Sequence, residues 1–261
     1  MQSFEERIES LDLSLFESIP SETSDEDRRT LLQLQRSIRN YGPYVYLEIG
    51  SHLGGTIQPH YIDPLCKMII SIDKRPFSIP DERGVNIEYP NNSTNRMLLG
   101  LQTVFPMIDK DKIITFDCDA RDINKHDIID RPHIMFIDAE HTNRAVYSDF
   151  MFCLDVCNPN AIIAFHDALL IFRGILKIKK FLVHKSFKFK GIMLGGSVYA
   201  ILFNEAIEAY ANSLQSLMQD EAEFFSRSKE NLFKTRLQNR HQKIYKFYDW
   251  LFSPRNKNKR K

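Results

Sequence analysis

The chain has 261 residues, of which 43% are hydrophobic and 26% are charged, and its formal net charge is +1 at pH 7. This composition predicts a folded globular protein and excludes a disordered chain. No apolar run reaches the roughly 18–20 residues that a membrane helix needs, and the N-terminus lacks the pattern of a signal peptide, so we expect a cytoplasmic protein without a membrane span.

Residues 1–40 are predicted to form a helical extension. Leu31, Leu34 and Ile38 follow one another at helical spacing, and acidic residues precede them. Acids at the start of a helix interact favourably with its dipole, so this stretch has the features of a helix N-terminus. We expect the extension to pack beside the first strand of the domain that follows.

The stretch from Val45 to Asp73 predicts a strand, a glycine-rich turn and a second strand. Val45–Ile49 is a short apolar run that ends at Gly50, and Met68–Ile72 is a second run that ends at Asp73. Glycine permits a tight turn and lets backbone N–H groups approach a ligand closely. An acid about 20 residues after such a turn suits the ribose hydroxyls of a bound nucleoside.

The later runs predict alternating helices and strands. The helices are expected at 56–65, 94–105 and 143–157, and the strands at 112–116, 132–138, 161–165, 183–196 and 197–203. Residues 76–90 contain prolines at 76, 80 and 90 and are predicted to form a loop. Alternation of this kind predicts an α/β fold, a Rossmann-like, doubly wound and mostly parallel seven-stranded sheet over 41–204.

The C-terminal part is predicted to extend this domain. Residues 205–252 have the pattern of one or two amphipathic helices, which are candidates for a homo-oligomer contact, and 253–261 predict a basic disordered tail. Acids concentrate at the start of the chain and bases at its end. We favour the interpretation that the acidic and basic segments form two solvated helical faces that pack on each other. A basic tail that binds an anionic partner is the less favoured interpretation, and we do not expect the protein to bind nucleic acid. The cysteines at 66, 118, 153 and 157 lack paired spacing and predict free thiols.

Acids and histidines follow two of the predicted strands. Asp138, Glu140 and His141 come after the fourth strand, and His166 and Asp167 after the fifth. Carboxylates with imidazole suit Mg²⁺, Mn²⁺ or Fe²⁺ better than a structural zinc ion. Neighbours in a regular strand point to opposite faces, so His166 and Asp167 can converge only if the strand ends there.

The motif Glu48-x-Gly50-x-x-x-Gly54, with its acid at the end of the second strand, resembles that of class I S-adenosylmethionine-dependent methyltransferases. The later segments Asp138–His141 and His166-Asp167 resemble a subgroup of that family, which includes metal-dependent O-methyltransferases of sugars and macrolides and the cephalosporin-hydroxylase-like proteins. The resemblance spans roughly residues 45–203. One departure is Asp138-Ala139-Glu140 where the subgroup often has Asp-Gly-Asp.

The resemblance implies a binding site for S-adenosylmethionine. Asp73 would take the ribose hydroxyls, Asp119 with Ala120 would contact the adenine, and Glu48 would position the loop and the amino-acid end of the donor. The residues implied in cofactor binding are Glu48, Gly50, Ser51, Gly54, Gly55, Thr56, Asp73, Asp119, Ala120 and Asp138.

The resemblance also implies the reacting groups. Mg²⁺ or another divalent metal would bind Asp138, His166 and Asp167. His141 would act as the general base, because an imidazole with an ordinary pKa of about 6.5 accepts protons at neutral pH, and Glu140 would be the competitor.

The function expected from these residues is methylation of an oxygen on a sugar or another small hydroxylated acceptor. Two alternatives remain open. One is a metal-dependent, hydroxylase-like enzyme on the same fold, and the other is a non-catalytic nucleotide-binding module that acts through its charged helices.

Overall fold

The computed structural model of the protein describes residues 2–246. Within that range, seven strands form one sheet in the order β5-β2-β1-β6-β7-β9-β8, and β3 pairs with β4 in a separate hairpin. The strands are β1 (Tyr44–Ile49), β2 (Cys66–Ile72), β3 (Ser78–Pro80), β4 (Asn86–Glu88), β5 (Ile113–Phe116), β6 (Ile134–Ile137), β7 (Ile162–Phe165), β8 (Phe189–Met193) and β9 (Tyr199–Phe203). The α-helices are α1 (Phe4–Glu9), α2 (Asp25–Arg39), α3 (Gln58–Ile62), α4 (Thr94–Val104), α5 (Asn143–Val156), α6 (Phe172–His184), α7 (Ala206–Leu214) and α8 (Glu221–Arg240).

The sheet confirms the predicted doubly wound, Rossmann-like fold. β5, β2, β1, β6 and β7 run parallel, and β9 pairs antiparallel with β7 and with β8. All residues of β1 are buried because helices cover both faces of the sheet. Successive side chains point to opposite faces, so Leu47 belongs to one apolar core and Tyr46 to the other.

The N-terminal extension packs on the sheet and reaches its functional edge. Ser24 and Asp27 cap α2 reciprocally, since the Ser24 hydroxyl accepts from the Asp27 N–H and the Asp27 carboxylate accepts from the Ser24 N–H. Leu32, Leu34 and Ile38 of this helix are buried in the same core as Tyr46. The first turn of α2 is thereby fixed beside the ends of the central strands. The predicted division of the chain into domains stays a prediction.

Two predicted elements differ from the structure. Residues 76–90 contain the β3–β4 hairpin, in which Ser78 pairs with Glu88, where a loop was predicted. The prolines that indicated a loop lie at the edge or outside these short strands, where proline is tolerated. The predicted strand 183–196 was wrong at its start, because helix α6 continues to His184 and β8 begins only at Phe189. The apolar residues Ile175, Ile178 and Leu182 of α6 recur at helical spacing and are buried.

The C-terminal segment forms α7 and α8, as predicted for residues 205–252 up to the last described residue. The end of that segment and the predicted tail at 253–261 lie outside the described residues. No helix within residues 2–246 combines the length and the apolar character needed to cross a membrane. The four cysteines are free thiols, as predicted.

Candidate active site

A cavity of about 380 Å³ lies at the carboxyl ends of the parallel strands. This edge is where ligands bind in open α/β sheets. The lining comes mainly from the glycine loop, the strand ends, the β3–β4 hairpin and the segment that leads into α2, and Asp149 of α5 contributes as well. The predicted site residues in its wall are Gly50, Ser51, Gly55, Thr56, Asp73, Ala120, Asp138, Glu140, His141, His166 and Asp167. Glu48, Gly54 and Asp119 do not line it.

The glycine loop is held by contacts that only glycine allows. Gly50 has φ +96°, and a Cβ atom there would lie 2.1 Å from the carbonyl oxygen of Asp138. A Cβ atom on Gly55 would lie 2.3 Å from the carbonyl oxygen of Pro20, because the N-terminal segment crosses the loop at that point. The loop is therefore enclosed between β6 and the N-terminal extension.

Glu48, a residue of β1, holds the glycine loop through a hydrogen bond. It is fully buried, and its carboxyl group accepts hydrogen bonds from the Thr56 hydroxyl at 2.6 Å and from the Tyr46 hydroxyl. Burial raises the pKa of Glu48 to about 8, although both hydrogen bonds oppose that shift. This geometry agrees with the predicted role of positioning the loop.

Asp73 ties the end of β2 to the glycine loop. Its carboxylate accepts from the backbone N–H of His52 at 2.9 Å and from that of Arg75 at 2.7 Å. The Arg75 guanidinium lies 3.3 Å from the same carboxylate. Asp73 also borders the cavity, so it is placed to meet a bound nucleoside.

We expect Asp73→Ala to weaken binding of S-adenosylhomocysteine about tenfold or more, because charged hydrogen bonds are each worth ~1.5–3 kcal/mol. Asp117→Ala is the matched control. Asp117 also pairs with Arg75, at 3.4 Å, but it does not line the cavity. Calorimetric titration of both folded variants measures the effect. Unchanged affinity in Asp73→Ala would refute the ribose assignment, and an equal loss in Asp117→Ala would assign the effect to Arg75.

The Asp119 side chain is engaged by two cations. It accepts from the Arg121 side chain at 2.7 and 2.9 Å, and Lys74 Nζ lies 2.6 Å away. The hydrogen bonds from Arg121 lead the effects that hold the pKa of Asp119 well below its ordinary value. Its neighbour Ala120 does border the cavity. The predicted contact of Asp119 with adenine stays a prediction.

Asp149, a buried acid of α5 in the cavity wall, was not among the predicted site residues. A signal was present, because Asp149 follows Val146 by three residues and precedes Cys153 by four, which puts a carboxyl group on the buried face of the helix. Burial, with a smaller contribution from the nearby Asp119 charge, raises the pKa of Asp149 to about 7.

Asp138, His141 and His166 form a compact cluster beside the glycine loop. Asp138 Oδ1 lies 2.9 Å from His166 Nδ1 and 3.4 Å from His141 Nε2. One ligand atom from each of the three residues lies within 4.8 Å of the others, a spacing that could hold a metal ion. We refer to these three residues as the His–Asp cluster.

Three further carboxylates face the outer nitrogen atoms of the two imidazoles. Asp27 Oδ2 lies 3.4 Å from His166 Nε2, and Asp167 Oδ2 and Asp81 Oδ2 lie 3.2 and 3.5 Å from His141 Nδ1. Those two nitrogen atoms are buried and make no well-aligned hydrogen bond within residues 2–246. Asp27 and Asp81 were not predicted, since they come from α2 and from the hairpin, far away in sequence.

The structure alters the predicted metal ligands in one respect. It brings Asp138 and His166 together as predicted, but His141 completes the cluster, and Asp167 contacts the far side of the His141 ring. β7 ends at Phe165, and Asp167 has φ +47°. The strand therefore ends before His166, which is the condition under which His166 and Asp167 were predicted to converge. The assignment of Asp167 as a ligand itself stays a prediction.

The acids around His141 change its acid–base properties. Burial alone would lower its pKa, but the neighbouring carboxylates of Asp138, Asp81 and Asp167 raise the pKa of His141 to about 10. Asp138 and Asp27 likewise raise the pKa of His166 well above its ordinary value, against the effect of burial. The reason for ranking His141 above Glu140 as a base was an ordinary imidazole pKa, and that reason does not hold in this environment.

The donor set fits a divalent transition metal. Two imidazoles and one carboxylate suit Mn²⁺, Fe²⁺, Co²⁺ or Zn²⁺, whereas Mg²⁺ prefers oxygen ligands. Outer carboxylates that face the second nitrogen of a ligating histidine orient the ring and increase its basicity. Asp27, Asp81 and Asp167 are placed to do this for the His–Asp cluster.

Residues 66–168 match a family of methyltransferase domains. The match runs from the start of β2 to the residue after Asp167. This part of the chain is similar to a methyltransferase domain. The predicted S-adenosylmethionine-dependent methyltransferase is thereby confirmed as the enzyme class. No curated protein matches the chain significantly in sequence.

Solved structures show the same fold at low sequence identity. Cofactor-bound Rv0187 from MTB is 11% identical with a TM-score of 0.50, and the match covers 78% of this chain and 90% of that one. The O-methyltransferase NovP is 10% identical with a TM-score of 0.50, and the match covers 76% of this chain and 80% of that one.

Proposed function

We propose that the methyltransferase domain methylates a hydroxyl group of a small acceptor, a sugar or another hydroxylated metabolite, with a divalent metal held by the His–Asp cluster. One observation carries the proposal. The glycine loop and the His–Asp cluster are in direct contact, because Gly50 packs against the backbone of Asp138. A donor on the loop and an acceptor on the cluster would therefore be neighbours, as methyl transfer requires.

The wall opposite the strand ends favours a hydroxylated acceptor. Glu22 and Ser24 of the N-terminal segment and Arg83 and Tyr89 of the hairpin region line it. The Tyr89 hydroxyl donates to Glu22 at 3.5 Å, so the two segments meet across the cavity. These groups can donate and accept hydrogen bonds, which is how a protein holds a polyhydroxylated molecule.

The chain itself supplies orientation, exclusion of water and a proton acceptor. A divalent metal on Asp138, His141 and His166 would lower the pKa of a hydroxyl that it contacts. Asp27, Asp81 and Asp167 would keep the two imidazoles oriented through their outer nitrogen atoms. Glu140 lines the cavity and accepts a hydrogen bond from the Thr142 hydroxyl at 2.7 Å, so a carboxylate remains to take the proton.

A second candidate has one observation in its favour. Two histidines and one carboxylate are also the ligands of non-haem iron oxygenases, which fits the hydroxylase-like alternative. The buried Glu48, the glycine loop and Asp73 favour a methyl donor as the bound nucleoside. We therefore place methyl transfer first.

Calorimetry with S-adenosylhomocysteine tests the proposal, first with the protein alone and then with Mn²⁺ or Mg²⁺ added. We expect binding of S-adenosylhomocysteine, and a separate binding signal for Mn²⁺ that exceeds the signal for Mg²⁺. Absence of binding by S-adenosylhomocysteine under all conditions would refute the proposal. Fe²⁺-dependent oxygen consumption without methyl transfer would establish the second candidate instead.

Paired substitutions at Glu140 and His141 distinguish the base from the metal ligand. We expect Glu140→Gln to keep Mn²⁺ binding and to lose turnover by about 10²–10⁴-fold, as for a general base. His141→Ala is expected to weaken Mn²⁺ binding as well. Release of S-adenosylhomocysteine with an accepted hydroxylated substrate measures turnover. Near-native turnover in Glu140→Gln, with full Mn²⁺ binding in His141→Ala, would restore His141 as the base.

A further inference from the structure

The wall of the cavity on the β5 side is distinct from the His–Asp cluster. In the sheet, β5 is the outermost strand, and β2 and β1 separate it from β6, which delivers Asp138. Ala120 follows β5, while Asp73 ends β2 between the two regions. If Asp73 takes the ribose hydroxyls, the base of the nucleoside must lie toward Ala120.

Two acids are close to that region, and their environments differ. Asp119 is held by Arg121 and by Lys74, and it does not border the cavity. A base could reach its carboxylate only in competition with two cations. Asp119 instead caps the short helical turn that starts at Ala120, because it accepts from the Arg121 N–H at 3.0 Å.

Asp149 lies in the cavity wall without such partners. It is 6% exposed, and within residues 2–246 its carboxyl group makes no hydrogen bond or ion pair. Helix α5 packs against the turn at Ala120, which brings Asp149 to the same wall as Cys118 and Ala120. A mostly buried carboxyl group that makes no hydrogen bond and borders the cavity is placed to pair with a polar group of a bound ligand.

The geometry points to Asp149 as the residue that recognises the adenine base, through a hydrogen bond from the exocyclic amino group to its carboxyl group. This inference rests on the proposed binding of S-adenosylmethionine. It assigns the hydrogen bond to the adenine of that cofactor to a residue of α5. An amino group is a donor, and a carboxyl oxygen is an acceptor in either protonation state. Hypoxanthine has a carbonyl oxygen in place of that amino group, so it would set two acceptors against each other when Asp149 is ionised. The two ligands are therefore compared at a pH well above 7, where Asp149 carries no proton to donate.

The matched ligands S-adenosylhomocysteine and S-inosylhomocysteine test this contact by calorimetry. We expect the native protein to bind the adenine ligand about tenfold or more tightly, the discrimination expected when a buried polar group is left unpaired. Asp149→Ala should lose most of that preference, and Asp149→Asn should recover part of it because its amide oxygen also accepts. Asp119→Asn is the control and should keep the preference.

Each result distinguishes the inference from the proposed function. A full adenine preference in Asp149→Ala would overturn the inference, as would a native protein that binds both ligands equally. Loss of the preference in Asp119→Asn alone would assign the base to Asp119. Failure of the native protein to bind S-adenosylhomocysteine would instead refute the proposed function. Asp149→Ala removes an unpartnered buried acid, so thermal unfolding should show a fold at least as stable as the native one.

Discussion

Replacing Asp138 with alanine is expected to abolish both metal binding and methyl transfer. The loss of Mn²⁺ affinity should exceed about 10–100-fold, the loss that is typical when the replaced residue contacts a metal ligand but not the metal itself. Asp138 is the carboxylate that both imidazoles of the His–Asp cluster approach, at 2.9 and 3.4 Å. Without it, two buried histidines would remain beside the cavity, and neither could supply the missing charge. Binding of S-adenosylhomocysteine should fall far less, because the glycine loop and Asp73 stay in place.

Asp167→Asn is the matched control for this substitution. It changes a carboxylate that contacts the same cluster from the outside, at 3.2 Å from His141 Nδ1. We expect it to reduce Mn²⁺ affinity by about 10–100-fold, less than Asp138→Ala does. Titration of Mn²⁺ into each variant, with and without S-adenosylhomocysteine, measures both effects. A greater loss in Asp167→Asn than in Asp138→Ala would return Asp167 to the ligand set and contradict the cluster described above.

Replacing Gly50 with alanine is expected to remove cofactor binding and to destabilise the protein by roughly 3 kcal/mol or more. The new Cβ atom would lie 2.1 Å from the carbonyl oxygen of Asp138 and 2.5 Å from its carbonyl carbon. Both are backbone atoms at the end of β6, so neither can move without displacing a strand. The φ of +96° adds strain for any residue with a side chain.

Gly100→Ala provides the control, since this glycine lies within α4 and no atom would come within 4 Å of its Cβ. That substitution should be neutral or stabilising by up to ~1 kcal/mol, because alanine favours a helix more than glycine does. Urea unfolding gives the change in stability, and titration with S-adenosylhomocysteine gives the change in binding. A Gly50→Ala protein of native stability and affinity would show that the loop and β6 are not in fixed contact.

The sequence by itself determined the central sheet and the residues at its functional edge. Short apolar runs specify buried strands locally, and the residue after each run must lie at the carboxyl edge of a parallel sheet. Gly50, Asp73, Asp138 and His166 could therefore be assigned to one edge without coordinates. The start of α5 was equally local, since Thr142 caps the helix by accepting from the Ala145 N–H.

Only the tertiary structure decided which side chains meet at that edge. Asp27 reaches His166 across 139 residues because α2 packs on the sheet, and Asp81 reaches His141 because a hairpin folds over the cavity. Such contacts depend on packing between distant segments, which no local pattern of residues records. The same holds for the grouping of His141 with Asp138 and His166 within 4.8 Å, which the spacing of these residues in the sequence does not reveal. Burial acts to lower the pKa of His141, Asp138 from the same motif raises it most, and Asp81 and Asp167, which only the fold brings near, raise it further. The acid–base chemistry of this site therefore depends on the motif and on the fold together.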